Sequence, residues 1–212
     1  MENISVKSPA QSPRRKMARP RTQLDRGHWI EGAIEVLARE GVAGLRIEVL
    51  AKRLKVTKGS FYWHFKDRQD LLDVVLETWK DGRIRDVVKQ AKARPGGERE
   101  RIFYLLDTYS TNRNRRGILI ELAMREWAQR DLAAAVIVRE VDAVRLECGR
   151  ALFLGCGLTP DEASARCLLL YAYAFGLSLV MHQDFQNDIS RLKEEINALV
   201  AGAPRATLTV PA

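Results

Sequence analysis

The sequence predicts an all-α chain in two parts, a basic N-terminal three-helix unit followed by a longer helical domain. Three observations predict it. Apolar residues recur at helical spacing along most of the 212 residues. No run alternates with period two for more than a few residues, so strands are not expected. The charge also changes character near residue 69. Between Arg14 and Arg68 fourteen Lys/Arg stand against six Asp/Glu, whereas from Gln69 onward twenty stand against twenty, and the whole +8 excess falls on one segment. Such a segment either meets a polyanion partner or forms a solvated basic face.

Residues 1–21, MENISVKSPAQSPRRKMARPR, hold three prolines and no periodic apolar pattern, and read as a mobile tail. The tail ends in a basic arm, RRKMARPR, suited to a phosphate backbone or a minor groove, or simply to solvent. The first helix is predicted over Thr22–Glu40. Thr22 and Asp25 resemble a capping box there, and Leu24, Ile30, Ala33, Ile34, Leu37 and Ala38 form the apolar stripe. Gly41 ends that helix as its left-handed C-terminal residue. A second helix, about Arg46–Leu54, places Ile47, Leu50, Ala51 and Leu54 on one face, with Arg46, Lys52 and Arg53 on the other. A short break at Lys55-Val56 leads to Thr57, which can cap a third. A long fourth helix then spans about Asp67–Lys92 and stops at RPGG. Five more follow, over roughly Glu98–Thr111, Ile118–Gln129, Leu132–Leu154, Pro160–His182 and Asp188–Ala201. No repeat of solenoid length is present.

Composition narrows the function classes. Hydrophobic residues at 46% and charged residues at 29% are ordinary for a globular protein. Cys148, Cys156 and Cys167 are odd in number and lack CxxC or Cys/His spacing, so buried structural thiols are expected rather than disulfides or zinc ligands. The N-terminus has no continuous apolar run of signal-peptide type, and the longest apolar stretch, Leu168–Met181, is shorter than the ~18–20 residues of a membrane span. A cytoplasmic protein follows. His28, His64 and His182 lie far apart, and neither a Gly-rich phosphate loop nor HExxH occurs. No catalytic site, metal site or cofactor is expected, and the chain is not read as an enzyme.

The segment TKGSFYWHF, Thr57–Phe65, carries the chemistry. With Thr57 as N-cap, Val56 and Phe61 hold the two positions of a hydrophobic staple. Phe61 and Phe65, four apart, share one side and root the helix on the first two. Lys58, Gly59, Ser60, Tyr62, Trp63 and His64 fall on the outward positions. Gly59 weakens a helix by roughly 1 kcal/mol against alanine, which calls for a reason. A bare backbone at a helix tip, where unpaired N–H groups point outward, lets a nucleic acid backbone approach closely. Lys58 and Lys66 are placed to neutralise phosphates, and Thr57, Ser60 and Tyr62 to donate from their hydroxyls. Two short helices joined by a tight turn, the second with a polar outer face, make a helix-turn-helix.

The residues go further than spacing. GVAGLRIEVLAKRLKVTKGSFYWHFKDRQDLLDVVLETW, preceded by WIEGAIEVLAREG, resembles the DNA-binding domain of the TetR (tetracycline repressor) family of bacterial regulators, over about residues 23–83. That resemblance implies a DNA-binding domain over 22–83 that includes the start of the fourth helix. It further implies a helical effector-binding and dimerisation domain over 84–203, with a tail at 204–212. The function implied is that of a sequence-specific, ligand-responsive dimeric repressor. Lys58, Gly59, Ser60, Tyr62, Trp63, His64 and Lys66 would lie at or near DNA, with Tyr62 and His64 on phosphate and Ser60 reading a base. Two positions depart from the family pattern. Arg46 stands where Ser or Thr usually caps the second helix, and adds a potential phosphate contact. Lys55 stands where the turn usually has glycine.

The second domain is less explicit. Tyr104, Tyr109, Trp127, Tyr171, Tyr173 and His182 either line an apolar effector pocket or pack in the core. A charged effector would need a buried counter-charge, for which Arg125, Glu126 and Arg166 are the candidates. The last two helices are apolar around much of their girth, so they are either central or covered by a partner. Taken with the resemblance, they imply a two-fold homodimer through a four-helix interface on a palindromic double-stranded operator. A DNA-binding factor without a small-molecule effector is the alternative.

Overall fold

The computed structural model describes residues 24–92, 96–110, 115–179 and 189–202, and regular structure among them is entirely helical. The basic arm of residues 1–21 and the tail of residues 204–212 lie outside the described residues. Helix α1 spans Arg26–Glu40, and Asp25 is its N-cap: Oδ1 accepts the His28 amide at 3.0 Å. The helix thus starts four residues later than the spacing predicts, because the aspartate supplies the cap expected of Thr22, which is itself outside the described residues. Gly41 ends α1 with φ 68°, its amide donating to the Leu37 carbonyl at 2.9 Å. A 3₁₀ turn, Val42–Gly44, leads to α2, Ile47–Arg53, and then to α3, Lys58–Phe61.

Helix α4, Arg68–Lys92, begins where Asp67 and Asp70 satisfy the free amides. Asp67 Oδ1 accepts from Asp70 N, and Asp70 Oδ2 accepts from Lys66 N, each at 2.9 Å. The remaining helices are α5, Glu98–Ser110; α6, Arg115–Ala128; α7, Leu132–Gly155; α8, Pro160–Leu179; and α9, Ile189–Ala201. Asp131 caps α7 by accepting from Ala134 N.

Two apolar clusters hold these helices together. The first is built around fully buried Trp29, Leu37, Leu45, Leu50 and Phe61, with Phe65 beside them. Trp29 meets Phe61 edge-on at 5.3 Å, and Phe61 stacks on Phe65 at the same separation, so α3 is rooted by the two phenylalanines that the four-residue spacing selects. This cluster continues through Leu72, Val75 and Trp79 of α4 to Met124 and Trp127 of α6 and Val138 and Val141 of α7. The change in charge near residue 69 therefore has no counterpart in the packing, which runs unbroken across it.

The second cluster joins Ile102 and Leu106 of α5, Phe153 of α7, Leu170 and Tyr171 of α8 and Val200 of α9. Helices α7 and α8 approach closely at Gly149, where a β-carbon would stand 2.8 Å from Cys167 Sγ and 3.1 Å from the Tyr171 ring. Cys167 is buried, and Cys148 and Cys156 are partly so. Burial raises all three thiol pKa values, that of Cys167 to about 11, which suits structural rather than reactive roles.

Candidate nucleic-acid interface

The turn between α2 and α3 sets the geometry of the exposed face. Lys55 takes a left-handed conformation, φ 57°, and Val56 N closes the turn on the Ala51 carbonyl at 3.0 Å. The turn keeps the shape that glycine would give, at a strain of about 1 kcal/mol. Arg46 occupies the N-cap of α2 without any side-chain capping bond, as its guanidinium requires, and points to solvent.

Helix α3 is shorter than the sequence suggests. Only Lys58–Phe61 are helical, and Tyr62, Trp63 and His64 ride on the turn that follows, closed by bonds from His64 N and Phe65 N to the Phe61 carbonyl at 2.9 and 3.0 Å. The cause is composition. Four aromatics and a histidine in five residues are weak helix formers, and Phe65 is pulled under the core while α4 is already capped at Asp67. Thr57 sits at the N-cap in extended conformation, but its side chain makes no capping bond; instead Ser60 Oγ donates to the Thr57 carbonyl at 2.9 Å. A single turn carries little macrodipole. The helix-tip attraction for phosphate expected from the sequence is thus replaced by side-chain charge and exposure.

That exposure is pronounced. Trp63 is 83% and Tyr62 54% accessible, with Thr57, Lys58, Gly59, Lys66 and Arg46 also exposed and Ser60 and His64 half-buried. Gly59 has room inside the fold for a side chain: a β-carbon would meet only Thr57 Oγ1, at an ordinary 3.9 Å. Its φ is not positive either. Nothing within the molecule demands glycine there.

Part of the basic excess is committed internally. Arg53 pairs with Glu40 at 2.6 Å, Arg68 donates to the Val42 carbonyl at 2.8 Å, and Lys58 pairs with Glu48 of α2. Hydrogen bonding with Glu48 raises the Lys58 pKa, and the same bond lowers that of Glu48. Arg46, Lys52, Lys55 and Lys66 are exposed and enter no ion pair among the described residues. Sequence spacing had given no sign of Glu48, because its partner lies ten residues away across the turn.

Four of the six residues nominated for an effector pocket have described side chains, and these lie in different parts of the packing. Trp127 is buried in the first apolar cluster, Tyr171 in the second, and Tyr173 packs at the edge of the second. Tyr104 is half-buried on α5. His182 and the side chain of Tyr109 lie outside the described residues. A cleft of about 380 Å³ opens between α1 and α6, lined among others by Leu37, Val42, Leu119, Leu122, Glu126 and Arg130, and none of those four residues lines it.

Of the three candidate counter-charges, Arg166 serves the fold, donating to the Gly202 carbonyl at 2.6 Å and pairing with Glu162. Arg125 belongs to a cluster that the sequence did not reveal. It binds Glu121 at 2.8 Å and Asp142 at 2.6 Å; Arg145 binds Asp142 at 2.7 Å and Glu121 at 3.2 Å; and Arg83 of α4 stands 3.6 Å from Glu121. Arg145 is 2% and Glu121 5% exposed. Phe175 of α8 lies 4.3 Å from the Arg125 guanidinium and 5.3 Å from that of Arg145. Burial would raise the Asp142 pKa, but the bond from Arg125 and the charges of both arginines outweigh it and lower it.

Two helices joined by a left-handed turn, the second ending in a basic, aromatic tip, have the form of a helix-turn-helix of the DNA-binding kind. Residues 30–75 match the family model for bacterial regulatory proteins of the tetR family. The chain is 26% identical over 170 residues to the HTH-type transcriptional regulator AcrR of Shigella flexneri, covering 73% of this chain and 77% of that one. Over 56 residues it is 41% identical to the class G tetracycline repressor protein of Vibrio anguillarum, covering 26% and 27% of the two chains. A transcriptional regulator from Saccharomonospora viridis, solved in complex with choline, superposes with a TM-score of 0.66 at 16% identity, over 82% of this chain and 94% of that one. Residues 30–75 thus carry a DNA-binding domain of the TetR family, and the chain as a whole is similar to bacterial transcriptional regulators of that family. Among the described residues no helix is long and apolar enough to cross a membrane, and no cluster of three or more His, Cys, Asp or Glu is arranged to hold a metal ion.

Proposed function

We propose that this regulator is a ligand-responsive repressor that binds a palindromic duplex as a homodimer through the tip formed by α3 and the turn after it. The observation that carries the reading is the bare, exposed position 59, flanked by Lys58, Tyr62, Trp63 and Lys66 and without any internal need for glycine. Lys58, Lys66 and Arg46 neutralise phosphates, Tyr62 and His64 bond backbone oxygens, and Thr57 and Ser60 present hydroxyls toward the groove. Ser60 is the base-reading candidate, since its oxygen stays free to accept while its proton is held by Thr57. Trp63 lies flat on the sugar-phosphate wall. Position 59 admits that wall closely because no β-carbon intervenes.

Dimerisation is supported by a stripe on α8, where Ala165, Leu168, Leu169, Ala172 and Leu179 are all exposed on one side. Leucines at 62%, 58% and 68% accessibility, separated by small residues, form a face that a second copy would cover. Two such tips would then read half-sites about one helical turn, 34–36 Å, or a multiple apart. For the effector, choline in the Saccharomonospora viridis regulator is a poor guide to this chain. The Phe175 ring that would seat a cation already faces Arg125 and Arg145.

Titration of the full-length protein against duplex from its own upstream region, followed by gel shift, tests the reading. A saturable complex that resists competition by scrambled duplex is expected. No sequence-specific complex at low salt would overturn it. An effector is expected to raise the melting temperature by binding the folded state and to weaken that same complex.

A further inference from the structure

Glu48 is an anomaly on this face. It is an exposed acid on α2, directed to the same edge as Lys58, where a phosphate backbone would repel it. Exposed ion pairs add little to stability, so holding the fold together is a poor reason for it. Its single ion-pair partner among the described residues is Lys58, the leading cation of the tip, while Arg46, Lys52, Lys55 and Lys66 stay unpaired. The pairing is therefore selective: one acid neutralises the one lysine placed at the start of α3.

We propose that Glu48 is a positioning residue that keeps Lys58 from contributing to binding until a duplex is closely seated. The inference rests on the DNA-binding reading above. In a loose encounter with arbitrary sequence, phosphates stand off by a hydration layer and act on Lys58 through screened water, while the Glu48 carboxylate touches it directly. The carboxylate wins, and the pair meets the DNA as a neutral unit. In a fitted complex a phosphate oxygen reaches hydrogen-bonding distance, replaces the carboxylate, and Lys58 joins the interface. Breaking the pair is a cost met only in the fitted complex, so Glu48 lowers affinity for both kinds of duplex and tempers the contribution of Lys58 rather than removing it. The raised Lys58 and lowered Glu48 pKa values agree with a pair in which each charge is held by the other.

The test uses the full chain with two probes: a duplex selected by the protein from a random pool, and a scrambled duplex of equal length, each titrated by fluorescence anisotropy over a salt series. Glu48→Gln should tighten binding to the scrambled duplex roughly 5–10-fold near 0.1 M salt and steepen its salt slope by about 0.9, the value of one added phosphate contact. Affinity for the selected duplex should rise by at least as large a factor with its salt slope unchanged, since Lys58 is already engaged there and the ion pair no longer has to be broken. In a Lys58→Ala background the Glu48→Gln gain should vanish.

Unchanged binding of Glu48→Gln to the scrambled duplex overturns the proposal. So does a gain that persists without Lys58, which would make Glu48 a simple repulsive charge. Failure of the unmodified protein to bind either duplex would instead remove the DNA-binding reading itself. Glu48→Ala, checked for folding by circular dichroism, guards against an effect peculiar to glutamine.

Discussion

The two halves of the molecule bury different things. Around α1 to α3 the interior is hydrocarbon and aromatic ring, Trp29 on Phe61 on Phe65, with every charge turned outward or tied to a carbonyl at the rim. Among α4, α6, α7 and α8 three arginines and two carboxylates lie between apolar layers, with Phe175 against two of the guanidiniums. A hydrocarbon core tolerates small losses in proportion to the area removed. A buried ionic cluster does not, because taking one member away strands another in a poorly solvated site. The reading half is thus made for rigidity, and the other half holds an arrangement in which one altered contact is felt by four helices. A change at Glu121 reaches Arg83, and Arg83 lies on the same helix whose first turn carries Arg68 against the Val42 and Leu45 carbonyls.

The sharpest way to break that contrast is Arg145→Ala. With Arg145 2% exposed and bonded to both Glu121 and Asp142, its removal should cost about 3–5 kcal/mol in urea unfolding, beyond what the lost hydrocarbon alone predicts. A loss under about 1 kcal/mol would mean the cluster is solvated and the two halves are alike.

A related effect appears in acid. Asp142 has a folded pKa below its ordinary value, so its contribution is fully present above about pH 4 and disappears as pH falls through the lower folded value. Stability measured from pH 6 down to pH 2 should show that loss in the unaltered protein and a smaller one in Asp142→Asn. Equal acid sensitivity in the two would show that other carboxylates govern it.

The same contrast explains what the sequence made legible. Several interactions of the N-terminal half are short in sequence: Asp25 caps at His28, Phe61 stacks on Phe65, and Ser60 reaches Thr57. Periodicity and capping rules act over three or four residues, so the helices and the apolar root of α3 could be read, as could the left-handed Gly41, whereas Lys55 stood out only through the family resemblance. The ionic cluster is assembled across 17 and 24 residues from separate helices, a span over which charge spacing carries no signal. Arg125 was visible only as a candidate counter-charge for an effector; its partners within the fold were not. The length of α3 was misjudged for a different reason. Thr57 and the staple positions announce where a helix starts, but the stop is imposed by Phe65 entering the core and Asp67 beginning the next helix.

Smaller effects sharpen the comparison within the reading half. At position 59 stability and function should move in opposite directions. Gly59→Ala fills open space and narrows the unfolded ensemble, so the fold should gain about 0.5 kcal/mol. Duplex binding should weaken by about 1 kcal/mol or more, roughly fivefold, if the backbone there faces a phosphate wall. Thermal unfolding and anisotropy on one preparation read both. A variant that gains stability and keeps its affinity would mean the glycine is incidental.

The smallest effect belongs to Lys55. Its φ of 57° is enforced by the turn between α2 and α3, with Val56 N bonded to the Ala51 carbonyl and the partly buried Leu54 and Val56 on either side fixing the chain's path. Replacing it by glycine removes a left-handed strain of about 1–2 kcal/mol but adds unfolded-state freedom worth about 0.4–1 kcal/mol. Lys55→Gly should therefore stabilise by about 0.5 kcal/mol, with the α3 tip unmoved and the apolar stack of Trp29, Phe61 and Phe65 intact. The charge is lost in the same step, and Lys55→Ala separates the two contributions, since alanine loses the charge while retaining the strain. If glycine destabilises, the turn is held by the lysine side chain rather than by packing beneath it, and the rigidity assigned to this half would rest on its surface instead of its core.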